Sequence, residues 1–176
     1  MYYDTMANNT MAKAKVLWQN LISQKGAVMD FVKASALTAE ILSKQPTGIP
    51  IFLCSAAPRA VRKLSESGYK HLSLNKELSS SLMAIPQEKR LSVVQQETQK
   101  IISKAGSAVL LSDYEMLFDP RYKIDVLKLF CELARTTRLA VKWCGTTAED
   151  SLEYAEPQYT DHQTYQLANY TVICVK

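Results

Sequence analysis

Two acidic residues stand directly after an apolar run in the middle of the chain. Ala108-Val-Leu-Leu-Ser112 is followed by Asp113, and Glu115 comes two residues later. A buried parallel strand delivers the next side chain to the carboxyl edge of its sheet, where open α/β folds bind ligands. An acid there can hold Mg²⁺ against nucleotide phosphates, and a neighbouring Glu can polarise the attacking water. We therefore predict Asp113 as a metal ligand and Asp113 with Glu115 as catalytic acids. The alternative is a carboxylate that caps nearby backbone amides.

The loop that would face these acids follows an earlier apolar run, Ile49–Cys54. It reads Ser55-Ala-Ala-Pro-Arg-Ala-Val-Arg-Lys63 and contains no glycine. A phosphate loop of the form Gly-x-x-x-x-Gly-Lys-Ser/Thr needs its glycines so that backbone amides can wrap the phosphates. In one register Val61 replaces the lysine, and in the other Leu64 replaces the metal-binding hydroxyl. The sequence therefore predicts that this loop does not close around a triphosphate in the usual way.

Three cations surround the predicted start of the helix after this loop, namely Arg59, Arg62 and Lys63. A helix N-terminus attracts anions through its free amides and its dipole. We predict these residues as nucleotide- or anion-binding, with a structural turn or a partner surface as the alternative. Thr146, after the predicted strand Leu139–Trp143, is a candidate sensor of a γ-phosphate. Simple turn chemistry is the alternative for Thr146.

A sheet is needed to bring these residues together, and the apolar runs predict one. The predicted strands are Ile49–Cys54, His71–Leu74, Ala108–Leu111, Leu139–Trp143 and Tyr170–Val175. Helical patterns separate them, beginning at Pro58, at an N-cap Asn75, at Pro86 and at Ile124. This alternation predicts an α/β fold: a three-layer sandwich with a mainly parallel five-stranded sheet and helices on both faces.

The predicted organisation has three parts. Residues 1–10 are polar and predicted to be frayed, residues 11–45 form an N-terminal helical segment, and residues 46–176 form the α/β domain. Within that domain the acidic stretch 148–168 shows no strong periodicity, and we predict it to be irregular with little helix.

Composition narrows the classes of protein. The four cysteines are widely spaced and favour buried free thiols over disulfides or zinc sites. No apolar run approaches the roughly 20 residues that cross a bilayer, and the N-terminus lacks the pattern of a secretory signal. We therefore expect a cytoplasmic protein without a membrane partner. Nine Lys and Arg against three acids in residues 11–70 give a basic region that can attract nucleic acid or an acidic partner.

Several short motifs occur in an order that is typical of one family. They are Leu74-Asn-Lys-Glu-Leu78, Leu82-Met-Ala-Ile-Pro86, Val109-Leu-Leu-Ser-Asp-Tyr-Glu-Met-Leu-Phe-Asp-Pro120, Trp143-Cys-Gly-Thr146 and Leu152-Glu-Tyr-Ala-Glu-Pro157. In order and spacing they resemble BrxF, the small P-loop protein of certain BREX (bacteriophage exclusion) defence systems. The resemblance covers about residues 49–176.

The resemblance implies a P-loop NTPase-like fold and a small ATPase-like subunit that acts beside larger BREX proteins, including a DNA methyltransferase. Carried over, Asp113 takes the metal-site acid and Glu115 the following acid, whereas Ser55–Leu64 departs from the family's phosphate loop. We therefore expect a non-catalytic subunit that acts in complex assembly or DNA-associated defence, with other BREX proteins as partners. Two alternatives stay open: an ATPase that binds ATP and Mg²⁺ through a non-standard loop, and a direct DNA-binding subunit. Assembly into a homo-oligomer is open as well.

Overall fold

A five-stranded parallel sheet organises the computed structural model, which describes residues 31–55 and 58–176. Its strands are β1 (Ile51–Leu53), β2 (Lys70–Ser73), β3 (Ala108–Ser112), β4 (Arg138–Lys142) and β8 (Ile173–Val175). They lie in the order β2-β3-β4-β1-β8, and every pairing is parallel. The predicted parallel sheet of five strands is confirmed, with strand limits within about three residues of the prediction. The predictions for residues 1–30 lie outside the described residues.

Helices cover both faces of the sheet. The helices α1 (Ala39–Ser43) and α2 (Pro58–Glu66) pack on the face that carries Ile51 and Leu53. The opposite face, which carries Phe52, is covered by α3 (Leu74–Met83), α4 (Gln87–Ala105) and α5 (Val126–Leu133). Because both faces are covered, β1 and β3 are buried at every position and read as continuous apolar runs. The α/β class with flanking helices is therefore confirmed.

The start of α3 differs from the prediction. The helix begins at Leu74 with Ser73 as its N-cap residue, so Asn75 lies inside the first turn and is not the cap. Its side chain is used elsewhere: Asn75 Nδ2 donates to Glu115 Oε2 at 2.9 Å, and Asn75 Oδ1 accepts from the Met116 amide at 3.3 Å. Asn75 therefore joins α3 to the segment after β3.

The stretch 148–168 was predicted to be irregular, and this prediction is wrong. It contains β6 (Ser151–Tyr154) and β7 (Gln163–Gln166), which form an antiparallel sheet with β5 (Thr146–Thr147). The cross-strand pair Leu152 and Tyr165 is buried in the core, whereas the neighbouring pair Glu153 and Thr164 is on the other face. Short strands with one polar face carry no apolar run, which explains why the sequence pattern missed them.

The described part of the predicted N-terminal helical segment is only partly helical. Val32 pairs with Val175 in a parallel bridge, its amide donating to the Cys174 carbonyl at 2.9 Å. Residues 34–36 make a single tight turn, and α1 is the only α-helix within residues 31–45. The chain therefore covers the β8 edge of the sheet with an extended segment, where the apolar spacing had predicted a helix.

All four cysteines are free, as predicted. The prediction that they are buried holds only for Cys174, because Cys54 and Cys131 are half-buried and Cys144 is exposed.

Candidate functional site

The carboxyl ends of β3, β4 and β1 lie side by side, since these strands are neighbours in that order. The chain leaves them at Asp113, Trp143 and Cys54. Ligands of open α/β sheets bind at this edge. The three predicted regions, after β1, β3 and β4, therefore share one edge of the sheet.

A pocket of about 570 Å³ opens between the ends of β1 and β4. It is lined by Leu53, Cys54, Ser55, Pro58, Val61, Arg62, Lys142, Trp143 and Gly145. Small-molecule sites are typically about 300–1,000 Å³ and mostly apolar, with a few polar groups that fix the ligand. This pocket has that character, and its charged groups are the two cations Arg62 and Lys142. It therefore suits an anionic group better than a cationic one.

Core packing fixes the helix after β1. Pro58 opens α2, as expected for a residue whose missing amide costs no intrahelical bond in the first turn. Ala60 and Leu64 are fully buried against the core that α1 shares. Ala60 is the residue that stands at the second glycine position of a phosphate loop in one register. Because Ala60 belongs to a packed helix turn, that position is not part of an open, glycine-like loop.

The three predicted cations do not converge. Arg62 lines the pocket, but its Nε donates to Glu66 Oε1 at 2.8 Å on the exposed side of α2, and this bond raises the pKa of Arg62. Lys63 Nζ donates to the carbonyls of Ala34 and Ser35, each at 3.2 Å, and so ties α2 to the segment before α1. Arg59 is exposed on the first turn of α2.

Asp113 lies at the predicted strand end, where its contacts run toward β2. Its backbone is left-handed, with φ of 50°, and its carbonyl accepts from the Asn75 amide at 2.6 Å. Hydrogen bonds from Ser73 and Ser112 lower the pKa of Asp113, and electrostatic interaction with the nearby Lys142 and His71 side chains lowers it further. Asp113 is therefore ionised and held by the end of the neighbouring strand.

The hydroxyl of Ser112 relays this contact to β2. Ser112 Oγ donates to Asp113 Oδ2 at 3.0 Å and lies 2.8 Å from His71 Nε2. Because the hydroxyl proton points to the aspartate, His71 is placed as the donor to Ser112 rather than as its base. This chain of contacts orients the carboxylate and does not activate the serine as a nucleophile.

Glu115 and Thr146 are each committed to local structure. Glu115 accepts from Asn75 at 2.9 Å, at the start of the turn that follows β3. Thr146 begins β5, and its carbonyl accepts from the indole of Trp143 at 2.9 Å. Next to it, Gly145 makes a close approach that no other residue allows: a Cβ there would stand 1.8 Å from the Glu153 carbonyl oxygen. Gly145, rather than Thr146, lines the pocket.

Lys142 was missed by the sequence reasoning. It is the last residue of β4, lines the pocket, and is close enough to Asp113 to lower the pKa of that carboxyl. A charged residue at the end of the predicted strand Leu139–Trp143 was a usable signal, since the same criterion had selected Asp113. Lys142 therefore links the pocket to Asp113.

The arrangement of the described residues does not fit Mg²⁺-bound ATP. Lys63 is turned to backbone carbonyls, and Asp113 is held by serine hydroxyls at the end of β2. Across residues 31–55 and 58–176, no group of three or more His, Cys, Asp or Glu side chains is placed to hold a metal ion. A phosphate loop supplies its lysine to the phosphates opposite the metal-site acid, whereas Lys63 of this loop is bound to the segment before α1.

Comparison with known proteins adds no relative: no family model, curated protein or solved structure matches this chain significantly. No helix within the described part of the chain is long and apolar enough to cross a membrane.

Proposed function

We propose that this chain is a P-loop-like protein without nucleotide chemistry, acting as a non-catalytic subunit of a BREX-type phage-defence complex. One observation carries the non-catalytic part. The strand ends that would form a nucleotide site are adjacent, yet Lys63 and Asp113 are each held by partners on opposite sides of it. The BREX assignment is supported by the ordered motifs between Leu74 and Pro157.

The structure also gives this role a physical basis. Hydrogen bonds that fix Asp113 and Glu115 join β2, β3 and α3 into a rigid edge. Rigid, pre-organised surfaces lose little conformational entropy when they bind a partner. The acids that would serve catalysis in an ATPase therefore stabilise the surface in this chain.

A titration with Mg²⁺-ATP tests the non-catalytic part. A ligand that binds only the native state at 100 times its Kd adds about 2.7 kcal/mol to the free energy of unfolding. We expect no change of melting temperature at millimolar Mg²⁺-ATP and no phosphate release. A rise that Asp113→Asn abolishes, with turnover lost in the same variant, would contradict the proposal and support the ATPase with a non-standard loop.

Complementation tests the BREX part. In a host that carries the matching BREX locus, deletion of this gene is expected to abolish phage restriction, and the wild-type gene to restore it. Asp113→Asn is expected to restore it equally, because the carboxylate performs no chemistry. Full restriction in the deletion strain would exclude the chain from the system. Restriction restored by wild type but lost in a stably folded Asp113→Asn would retain the BREX role and reject the non-catalytic one.

DNA binding is the second candidate, and the cations of the carboxyl edge favour it. Arg59 and Lys142 are exposed, and the side chain of Arg62 is 81% exposed. Contacts to phosphates release counterions, so the affinity for DNA would fall steeply with salt. Fluorescence anisotropy of a labelled duplex at several salt concentrations measures the slope. A slope that the double variant Arg59→Gln/Lys142→Gln flattens would support DNA binding, whereas affinity that is independent of salt would oppose it.

A further inference from the structure

Two cysteines lie close together on the adjacent strands β1 and β8. Cys54 follows β1, and Cys174 is the central residue of β8. The strands pair with Phe52 opposite Cys174 and Leu53 opposite Val175, and the Cys54 amide donates to the Val175 carbonyl at 2.8 Å. Cys54 therefore lies two positions beyond Cys174 in register. Residues two apart in a strand share a face, and both side chains pack against the same core.

The side chain of Cys54 is turned toward Cys174. Its Sγ lies 3.6 Å from the carbonyl oxygen of Phe52, the residue directly opposite Cys174. The neighbouring Cys54 thiol, together with burial, raises the pKa of Cys174. Cys174 therefore stays a protonated thiol beside Cys54 at neutral pH.

The two thiols differ in access. Cys54 is half-buried and lines the 570 Å³ pocket, whereas Cys174 is only 5% exposed. A small oxidant can reach Cys54 through the pocket but not Cys174 directly. Oxidation of thiols follows their access and thiolate character, and a sensor thiol commonly has a second thiol placed beside it.

We propose that Cys54 and Cys174 form a redox modification site, in which a hydroperoxide converts the thiol pair into a reversible disulfide. The Cys54 sulfur attacks the peroxide, the O–O bond breaks, and Cys54 becomes a sulfenic acid with release of water or an alcohol. The Cys174 sulfur then attacks the Cys54 sulfur, its proton leaves with the hydroxyl as water, and the S–S bond forms. The two sulfurs lose two electrons in total, and the peroxide gains them.

Geometry predicts that this disulfide is easily reduced. In parallel strands about 4.8 Å apart with a rise of about 3.3 Å per residue, a two-residue offset places the two Cα atoms about 8 Å apart, beyond the usual span of a disulfide. Closing the bond therefore draws the end of β1 toward β8. A strained disulfide has a less negative reduction potential, so a dithiol or glutathione reverses it. Because Cys54 forms part of the pocket wall next to Ser55, the modification changes the shape of the pocket.

The test uses the full chain with Cys131→Ser and Cys144→Ser, which leaves Cys54 and Cys174 as its only thiols. Trypsin separates the two, since Cys54 lies in the fragment 45–59 and Cys174 in 143–176. After hydrogen peroxide treatment we expect the linked fragments, lighter than their sum by two hydrogens, and a loss of both titratable thiols. Dithiothreitol is expected to restore both.

Single variants separate the steps. In the same background, Cys174→Ser is expected to trap the sulfenic acid, so that dimedone labels Cys54, whereas Cys54→Ser is expected to keep its remaining thiol reduced. Cys54 found as sulfinic or sulfonic acid without the linked fragments would overturn the proposal. So would a disulfide between two chains, or two thiols that resist peroxide in the folded protein.

Discussion

The loops after β1 and after β3 sit at the same edge of the sheet but are held in different ways. After β3, Asp113 and Glu115 are bound to the end of β2 and to α3 by a set of short hydrogen bonds. After β1, Ser55 and Arg62 border an open pocket, and the next residue, Lys63, contacts residues 34 and 35 instead.

The difference separates an anchored acidic side from an open basic side. On the acidic side the carboxylates of Asp113 and Glu115 already accept hydrogen bonds from Ser73, Ser112 and Asn75, so a ligand would compete with these partners. On the basic side, Lys142 lines the pocket. Among the described residues its ammonium group makes no hydrogen bond or ion pair, and its charge acts on Asp113 by lowering the pKa of that carboxyl. Binding is therefore expected at the pocket, and rigidity at the acids.

We expect the largest loss of stability from Gly145→Ala, which disturbs the wall of the pocket on the basic side. The new Cβ would stand 1.8 Å from the Glu153 carbonyl oxygen, so β5 and β6 must move apart. Overpacking of this kind typically costs about 1–3 kcal/mol, which corresponds to a loss of about 2–4 °C of melting temperature per kcal/mol in a chain of this size. Differential scanning calorimetry measures it. Gly68→Ala is the reference for backbone strain without a clash, because no atom lies within 4 Å of the Cβ built there, while its left-handed φ of 84° costs a non-glycine residue about 1–2 kcal/mol. If Gly145→Ala lowers the melting temperature no more than Gly68→Ala does, β5 and β6 move apart at little cost in free energy.

Asn75→Ala is expected to loosen the anchored side. It removes the bond to Glu115 and the acceptor for the Met116 amide. Removing the partner of a part-buried polar group costs about 1–3 kcal/mol, and we expect a value near the middle of this range. Urea denaturation measures it. Ser55→Ala on the open side is the matched control and is expected within about 0.5 kcal/mol of wild type, as for surface positions away from such bonds. Equal losses of stability for the two variants would mean that the acidic side is not held more tightly than the basic side.

The parallel sheet and the position of its strand ends could be predicted from the sequence, because the sheet is buried on both faces. Continuous apolar runs such as Ala108–Leu111 and Leu139–Trp143 predict strands of a covered parallel sheet, and parallel strands place their ends at one edge. The strands β6 and β7 escaped prediction because one face of each is polar.

The partners of the site residues could not be predicted, because they come from distant parts of the chain. Ser112 meets His71, 41 residues away, only after a crossover brings β2 next to β3. Lys63 meets Ala34, 29 residues earlier, because α2 and the segment before α1 pack on the same face. Sequence spacing carries no signal for either contact, and so the charged residues looked free for chemistry.

Asp113→Asn tests whether the charge of Asp113 stabilises the anchored side. Asn tolerates the left-handed backbone at φ of 50°, so the change isolates the charge. The pKa of Asp113 is lowered in the folded chain by Ser73 and Ser112, relative to about 3.9 for an unfolded Asp. The ionised carboxylate therefore contributes stability above about pH 4, and this contribution disappears as the pH falls through the folded pKa.

We expect Asp113→Asn to lower the melting temperature at pH 7 by less than Asn75→Ala, and the gap from wild type to close as the pH falls below about 4. Thermal scans between pH 7 and pH 2.5 measure the gap, with Glu149→Gln as a control at an exposed acid. A gap that stays constant down to the lowest pH would show that the side-chain shape of Asp113, and not its charge, holds the turn.

The smallest effect is expected from the cations of α2, and it distinguishes two roles for the open side. Lys63→Ala removes two hydrogen bonds to the carbonyls of Ala34 and Ser35, which tie α2 to the segment before α1. We expect a loss of about 1–4 °C, from bonds worth about 0.5–1 kcal/mol in total at a part-exposed site. Arg62→Ala is expected to leave the melting temperature unchanged, since its bond with Glu66 is an exposed ion pair within one helix.

Anion binding by the same two variants separates the two roles. If Arg62→Ala weakens the binding of an anionic ligand while Lys63→Ala does not, then Arg62 serves the pocket and Lys63 serves the fold. The reverse result would support the anion-binding role that the sequence predicts for Lys63.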